Sequence, residues 1–276
     1  MSGDNIQALI AHLRHDDPVV RQKAIDALVA VGPNALPTLI ACLEDEVPAI
    51  QSGAVLALSA FGEQALEALF QAIDHASPTL QRGLAVTLSR MGDVALKPMV
   101  NALGYMNPSQ QTTIITALGL MGDRAVALLI EKLGAEEDAT RIDASIALTV
   151  VGKSAIPALI DALIDANLWR RRYAMVTLGR MGQPAIRALI NAFDKPDPRL
   201  RVSVAMTLVH IGQPSFAPLV RALQDPRPTV KIYAALTLGD LGNAQAIHHL
   251  QVLRQDDDAR VQRAATIAIE KLTRAF

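Results

Sequence analysis

Aromatic residues make up only 3% of the 276-residue sequence, with one Trp, three Tyr and five Phe, so an aromatic-rich groove is excluded. Cysteine occurs once, as Cys42, which rules out an intramolecular disulfide framework and every multi-cysteine metal site and suits a reducing compartment. Neither sign of charge prevails: 26 Lys and Arg against 27 Asp and Glu leave a net charge of −1, which disfavours a globally basic nucleic-acid binder. The longest uncharged stretch, Pro98 to Gly122, is interrupted by Asn107-Pro108-Ser109-Gln110-Gln111, and without a run of about 18 apolar residues a membrane span is not expected. The start, Met1-Ser2-Gly3-Asp4-Asn5, lacks a basic segment followed by an apolar one, so no secretory leader is read and a cytoplasmic location is expected. With 51% apolar residues and 19% charged ones, the chain is too hydrophobic and too weakly charged to be disordered.

What the sequence does have is a period. An apolar residue followed by glycine recurs at Val31-Gly32, Phe61-Gly62, Met91-Gly92, Met121-Gly122, Val151-Gly152, Met181-Gly182, Ile211-Gly212 and Leu241-Gly242, thirty residues apart each time. A leucine stands four residues before every one of these glycines, from Leu28 to Leu238. A fixed period of this length signals a repeat array. Within each period two helices are read. Helix A follows the glycine, with proline near its start at Pro33, Pro37, Pro157, Pro184 and Pro214. Helix B opens at a cap-proline pair, as in Asp17-Pro18, Ser77-Pro78, Asn107-Pro108 and Asp197-Pro198, and ends at the next glycine. Hairpins of roughly eleven and thirteen residues are too small to bury their own apolar faces, so they must stack.

The prediction is an all-α fold, an α-solenoid of about nine 30-residue αα-hairpins in one domain over residues 1–276. Residues 1–32 form an N-terminal cap with Gln22, Lys23 and Asp26 outward. Residues 33–242 form seven regular repeats. Residues 243–276 form a C-terminal cap, frame-shifted by one residue, with His248, His249, Gln251, Arg254 and Gln255 on its helix A.

Asp-Pro-x-[Val/Leu]-Arg at 17–21 and 197–201, Ala-Ile-Pro-Ala-Leu-Ile at 155–160 and Thr-Leu-Gly-Arg-Met-Gly at 177–182 resemble HEAT-like repeats of the phycobilisome-lyase type. The resemblance covers essentially the whole chain. It implies functions from bilin lyase subunits to phycobilisome assembly or degradation factors and scaffolds, with a phycobiliprotein or a linear tetrapyrrole as partner. Two enzymatic relatives are tested by residues. The His-Glu dipeptides with which HEAT-like deoxyhypusine hydroxylases bind iron are missing, since none of the six histidines precedes Glu. A HEAT-like DNA glycosylase would need a basic, tryptophan-lined face.

The candidate site lies on helix B. Two residues beyond the core stripe, about 200° around the helix, is an outer stripe that is polar in the first repeat and apolar later, with Leu56, Val86, Ile142, Ile146, Val176, Val202, Met206, Ile232 and Leu236. Such residues either pack laterally between adjacent B helices or line a partner groove. Trp169-Arg170-Arg171-Arg172-Tyr173 opens one B helix and holds the single Trp, in the residue types enriched at binding hot spots. Arg171 shares a column with Arg21, Arg141, Arg201 and Lys231 and is read as a loop brace, which leaves Arg172 as the contact residue. The partner-binding set is therefore Trp169, Arg172, Tyr173, Val176, Ile142, Ile146, Val202, Met206, Ile232, Tyr233 and Leu236. Charge is divided along the chain: residues 1–138 hold 8 basic and 16 acidic groups (−8), and residues 139–276 hold 18 and 11 (+7). That split suits steering of a charged partner. No phosphate-binding glycine loop or nucleophile elbow occurs. Cys42 sits in a column of alanines and reads as a small buried residue. The expectation is a non-catalytic, cofactor-free adaptor for a protein partner, with bilin attachment as the enzymatic alternative and neither nucleic acid nor membrane as partner.

Overall fold

The computed structural model describes residues 3–274, with side chains from Asn5 onward; Met1 and Ser2, on which part of the leader reading falls, lie outside the described residues. Helices alternate short and long. The A helices are α1 (Gly3–His12), α3 (Leu36–Ala41), α5 (Glu63–Ile73), α7 (Asp93–Ala102), α9 (Asp123–Lys132), α11 (Ile156–Ala162), α13 (Gln183–Ala192), α15 (Phe216–Ala222) and α17 (Ala246–Leu253). The B helices are α2 (Pro18–Val31), α4 (Pro48–Ala60), α6 (Pro78–Arg90), α8 (Pro108–Met121), α10 (Asp138–Val151), α12 (Leu168–Met181), α14 (Pro198–Ile211), α16 (Pro228–Leu241) and α18 (Ala259–Arg274). The chain is thus an all-α solenoid of helical hairpins. The A helices are shorter than the eleven residues expected where a 3₁₀ turn takes over their start, at Pro33–Ala35, Gly152–Ala155 and Gln213–Ser215. Arg254 and Gln255, expected on the last A helix, lie past its end.

The boundaries follow from side-chain chemistry. The Asp17 and Asp197 carboxylates accept the N–H groups of Val19 and Arg199 at 2.8 Å, and Asn107 with Gln110 closes a full capping box. At the far ends the eight period glycines hold φ between +56° and +81°. In Gly32, Gly62, Gly92, Gly122, Gly182 and Gly212, ψ lies between −125° and −162°. Side-chain-bearing residues avoid that region, so each of these corners requires glycine. Gly242 differs, at φ 76° and ψ 12°, the left-handed helical region.

The hairpins group into two compact units: the described part of Met1–Leu129 with Glu137–Val151, and Ile130–Glu136 with the described part of Gly152–Phe276. In the first unit α2, α4, α6, α8 and α10 pack in succession, as do α3, α5 and α7. Its core is built from fully buried leucines of the period, Leu28, Leu58, Leu88, Leu118 and Leu148. Small residues allow the close approach of neighbours: a Cβ on Gly53 would lie 2.8 Å from Leu13 Cβ, and one on Gly83 the same distance from Leu43 Cβ. A buried polar latch joins two of its hairpins. Asp143 accepts the Gly104 N–H at 2.8 Å and the Gln111 amide, while the Thr140 hydroxyl donates to the Leu103 carbonyl at 3.1 Å.

In the second unit α12, α14, α16 and α18 stack in succession beside α11, α13 and α15. Leu178, Leu208 and Leu238 are fully buried there, as is Phe193. Among the described residues, one helical run, 138–162, is long and apolar enough to cross a membrane by length and composition. The sequence reading did not anticipate it, because Asp138, Arg141 and Asp143 fall within its first turns. Its α10 leucine, Leu148, belongs to the first core and its α11 leucine, Leu159, to the second.

Candidate functional site

One column of B-helix donors closes the A–B turns. Arg21 donates to the His15 and Asp16 carbonyls, Arg171 to those of Asp165 and Ala166, and Arg201 to those of Phe193 and Lys195. These are the carbonyls left open by the A–B turn of the same hairpin, so the braces act within a hairpin and not between repeats. Gln51, Gln81 and Gln262 occupy the same column and donate to the Asp45, Ala76 and Asp256 carbonyls. Sequence reasoning missed them because it followed positive charge, whereas the work is done by N–H groups. Lys231 and Gln111 depart from the pattern and pair with the next hairpin, at Asp256 and Asp143. Residue 171 is thereby fixed in the turn and residue 172, one position on, is turned outward and exposed.

The turns of the second unit are closed by carboxylates. Asp225 is held below the usual carboxylate range by the Arg227 guanidinium, Asp256 by the Lys231 ammonium, Asp197 by Arg199, and Asp258 is drawn down to about 2 by Arg260. Burial works against the charge on Asp165, but hydrogen bonds from Arg170 and the Asn167 N–H keep it low. Cys42 is buried, and burial, aided by the Asp45 charge, raises its thiol above the ordinary value, as befits an unreactive small core residue.

The predicted site residues are distributed as follows. Ile142, exposed, and Ile146, half-buried, belong to the first unit; the other nine belong to the second. On α14, Val202 and Met206 are 53% and 56% exposed, one helical turn apart. On the flanking helices Val176 of α12 and Ile232 and Leu236 of α16 are half-buried. Trp169 is 40% exposed at the start of α12, and the Arg172 guanidinium lies over its ring at 5.9 Å from the centroid. An open cleft of about 450 Å³ in the same unit is lined by Leu163, Arg171, Arg199 and Ser203, among others. Tyr173 is half-buried. Tyr233 packs within the unit, its ring stacked on buried Phe193 at 5.5 Å and capped by the Arg201 guanidinium at 5.6 Å. The second unit therefore presents, on successive B helices, an apolar strip with an aromatic–arginine pair at one side. The first unit holds apolar residues that the sequence reading passed over, Leu120 and Val150, 57% and 52% exposed. They continue the outer stripe one helical turn further, in the column that begins with small Ala30 and Ala60, which hide its apolar character in the first repeats. No group of three or more His, Cys, Asp or Glu able to hold a metal occurs among the described residues.

A profile of the HEAT repeats matches residues 6–89 and 186–270, more than half of the chain. Among solved structures, the karyopherin Kap121p bound to the extreme C-terminus of the protein phosphatase Cdc14p is 16% identical, over 100% of this chain and 38% of the karyopherin, with a TM-score of 0.33. This chain thus spans little more than a third of that protein. Human deoxyhypusine hydroxylase in complex with glycerol is 21% identical over 89% of this chain and 98% of its own, with a TM-score of 0.32. An engineered protein is 19% identical over 99% and 100%, with a TM-score of 0.25. No curated protein matches the chain in sequence. With the family profile matching both ends of a period that runs uninterrupted between them, the chain belongs to the HEAT-repeat family.

Proposed function

We propose that the chain is a non-catalytic scaffold that binds a protein partner on the B-helix face of its second unit. The observation that carries this reading is the pair Val202 and Met206, more than half exposed at the centre of an apolar strip that continues on both neighbouring helices. Exposed apolar residues that adjoin in this way gain most by being covered, and they supply the desolvated centre of an interface. The test is the double variant Val202→Gln, Met206→Gln, which keeps good helix formers in place. Its melting temperature should match that of the parent. Amide exchange in α12, α14 and α16 should slow when a partner recovered from native lysate binds the parent, and stay unchanged with the variant. Protection on the A helices instead would move the interface and defeat the reading. The tetrapyrrole alternative implied by the phycobilisome-lyase resemblance predicts a shift in the visible spectrum of free bilin on mixing with the protein, which a protein scaffold does not produce.

A further inference from the structure

The charge on this face is as uneven as its polarity. Helix α12 carries four Lys or Arg, α14 two, α16 one and α18 four, eleven in all, against two acids, Asp240 and Glu270. Both acids are already paired, Asp240 with Lys271 and Glu270 with Arg274. The B helices of the first unit hold five basic and three acidic residues, so the excess belongs to the second unit. Eight of the eleven cations are engaged by the turn carboxylates, the turn carbonyls or those two acids. Three remain, Arg172 and Arg180 on α12 and Arg263 on α18, all exposed and none paired with a carboxylate among the described residues. Between them lie the apolar rungs Val176, Met206 and Leu236, one per helix on α12, α14 and α16.

We infer that the segment taken by this face is an acidic amphipathic helix of a protein partner, its carboxylates meeting Arg172, Arg180 and Arg263 and its apolar residues meeting the three rungs. The inference rests on the B-face reading above. Packed helices stand about 8–10 Å apart, so the rungs recur at that distance. Residues seven apart on an α-helix recur every ~10.5 Å on nearly the same side. In an extended strand the residue about 10 Å away is three positions on and points to the opposite face. From α12 to α18 is three such steps, about 24–30 Å, the length of a helix of about 16–20 residues. A nucleic acid fits less well: duplex DNA places one charge per ~1.7 Å of axis and would want continuous cations where the rungs are apolar.

The test uses the full-length chain and a fluorescent 20-residue helical peptide with Leu at every seventh position and Glu on the flanks. Anisotropy should show saturable binding that weakens with added salt. Replacing Glu by Lys in the peptide, replacing its Leu by Ser, or introducing Arg172→Glu with Arg263→Glu in the protein should each weaken binding at least about tenfold. Circular dichroism checks that the arginine variant stays folded. If a Gln-for-Glu peptide binds as tightly as the Glu peptide while the Val202→Gln, Met206→Gln protein binds neither, the B-face reading survives and the acidic partner is overturned. If the Glu peptide binds that double variant unimpaired, both fall. A proline-broken peptide of the same composition that binds equally well overturns the helical form. A single-stranded oligonucleotide that outcompetes the peptide overturns the inference altogether.

Discussion

Arg171 and Gln51 share one task, closing the A–B turn of their own hairpin through a side-chain N–H aimed at a carbonyl six residues upstream. Removing it leaves the half-buried Asp165 carbonyl without its protein donor, so Arg171→Ala should cost about 0.5–1.5 kcal/mol in chemical denaturation while Arg171→Gln costs less. Arg172→Ala, one residue along, should change stability by under about 0.5 kcal/mol, because its guanidinium lies on the surface against Trp169. Equal losses at 171 and 172 would contradict this register. Asp143→Ala strips the partner from the Gly104 N–H and the Gln111 amide inside the first unit and should also cost about 1–3 kcal/mol. Leu148→Ala and Leu178→Ala remove side chains with no exposed surface, one in each unit, and should each cost about 2–5 kcal/mol. These leucines were legible from spacing alone, since a fixed frame places equivalent residues in equivalent surroundings. The latch was not, because Asp143 is the one acid in a column that otherwise reads Lys23, Gly53, Gly83, Thr113, Tyr173, Ser203 and Tyr233, and its partners lie 32 and 39 residues away.

The helices themselves were largely readable. Proline after a capping side chain, and glycine after an apolar residue, are local signals whose physics does not depend on the rest of the chain. The kind of corner at each glycine was hidden, since ψ is settled by where the next helix must go. The difference has a measurable consequence. Gly242, in the left-handed region, should accept Asn at a cost under about 1 kcal/mol, whereas Gly122→Asn forces a side chain into a glycine-only region and should cost about 1–3 kcal/mol. Similar thermal shifts for the two would remove the distinction. The acidic turns of the second unit respond to pH. Asp165, Asp197, Asp225, Asp256 and Asp258 all bind protons less readily folded than they would unfolded. What they contribute is therefore complete above the ordinary carboxylate value near ~4 and is lost as the pH falls through the lower folded value, about 2 for Asp258. Asp256→Asn should accordingly lower the melting temperature at pH 6 and make progressively less difference as the pH approaches 2.

Across the whole chain, the frame told more than any single stretch. Thirty-residue self-similarity gave the solenoid and the inward and outward columns, while exposure along the outer column depended on neighbours that no single repeat contains: Val202 and Met206 stand clear, and Ile232 and Leu236 are half covered. The same dependence limits how freely repeats could be exchanged. At one position of the B helix the first unit has Gly53 and Gly83, each lying on a leucine of the preceding hairpin with no room for a Cβ. The second unit has Tyr233 there, resting on the ring of Phe193. A hairpin moved by a multiple of thirty residues would keep its period, caps and leucines and still arrive beside the wrong neighbour. Every repeat carries an address as well as a consensus, and a rearranged chain in which Tyr233 meets Leu13 should melt at a lower temperature than the parent although each of its modules is intact.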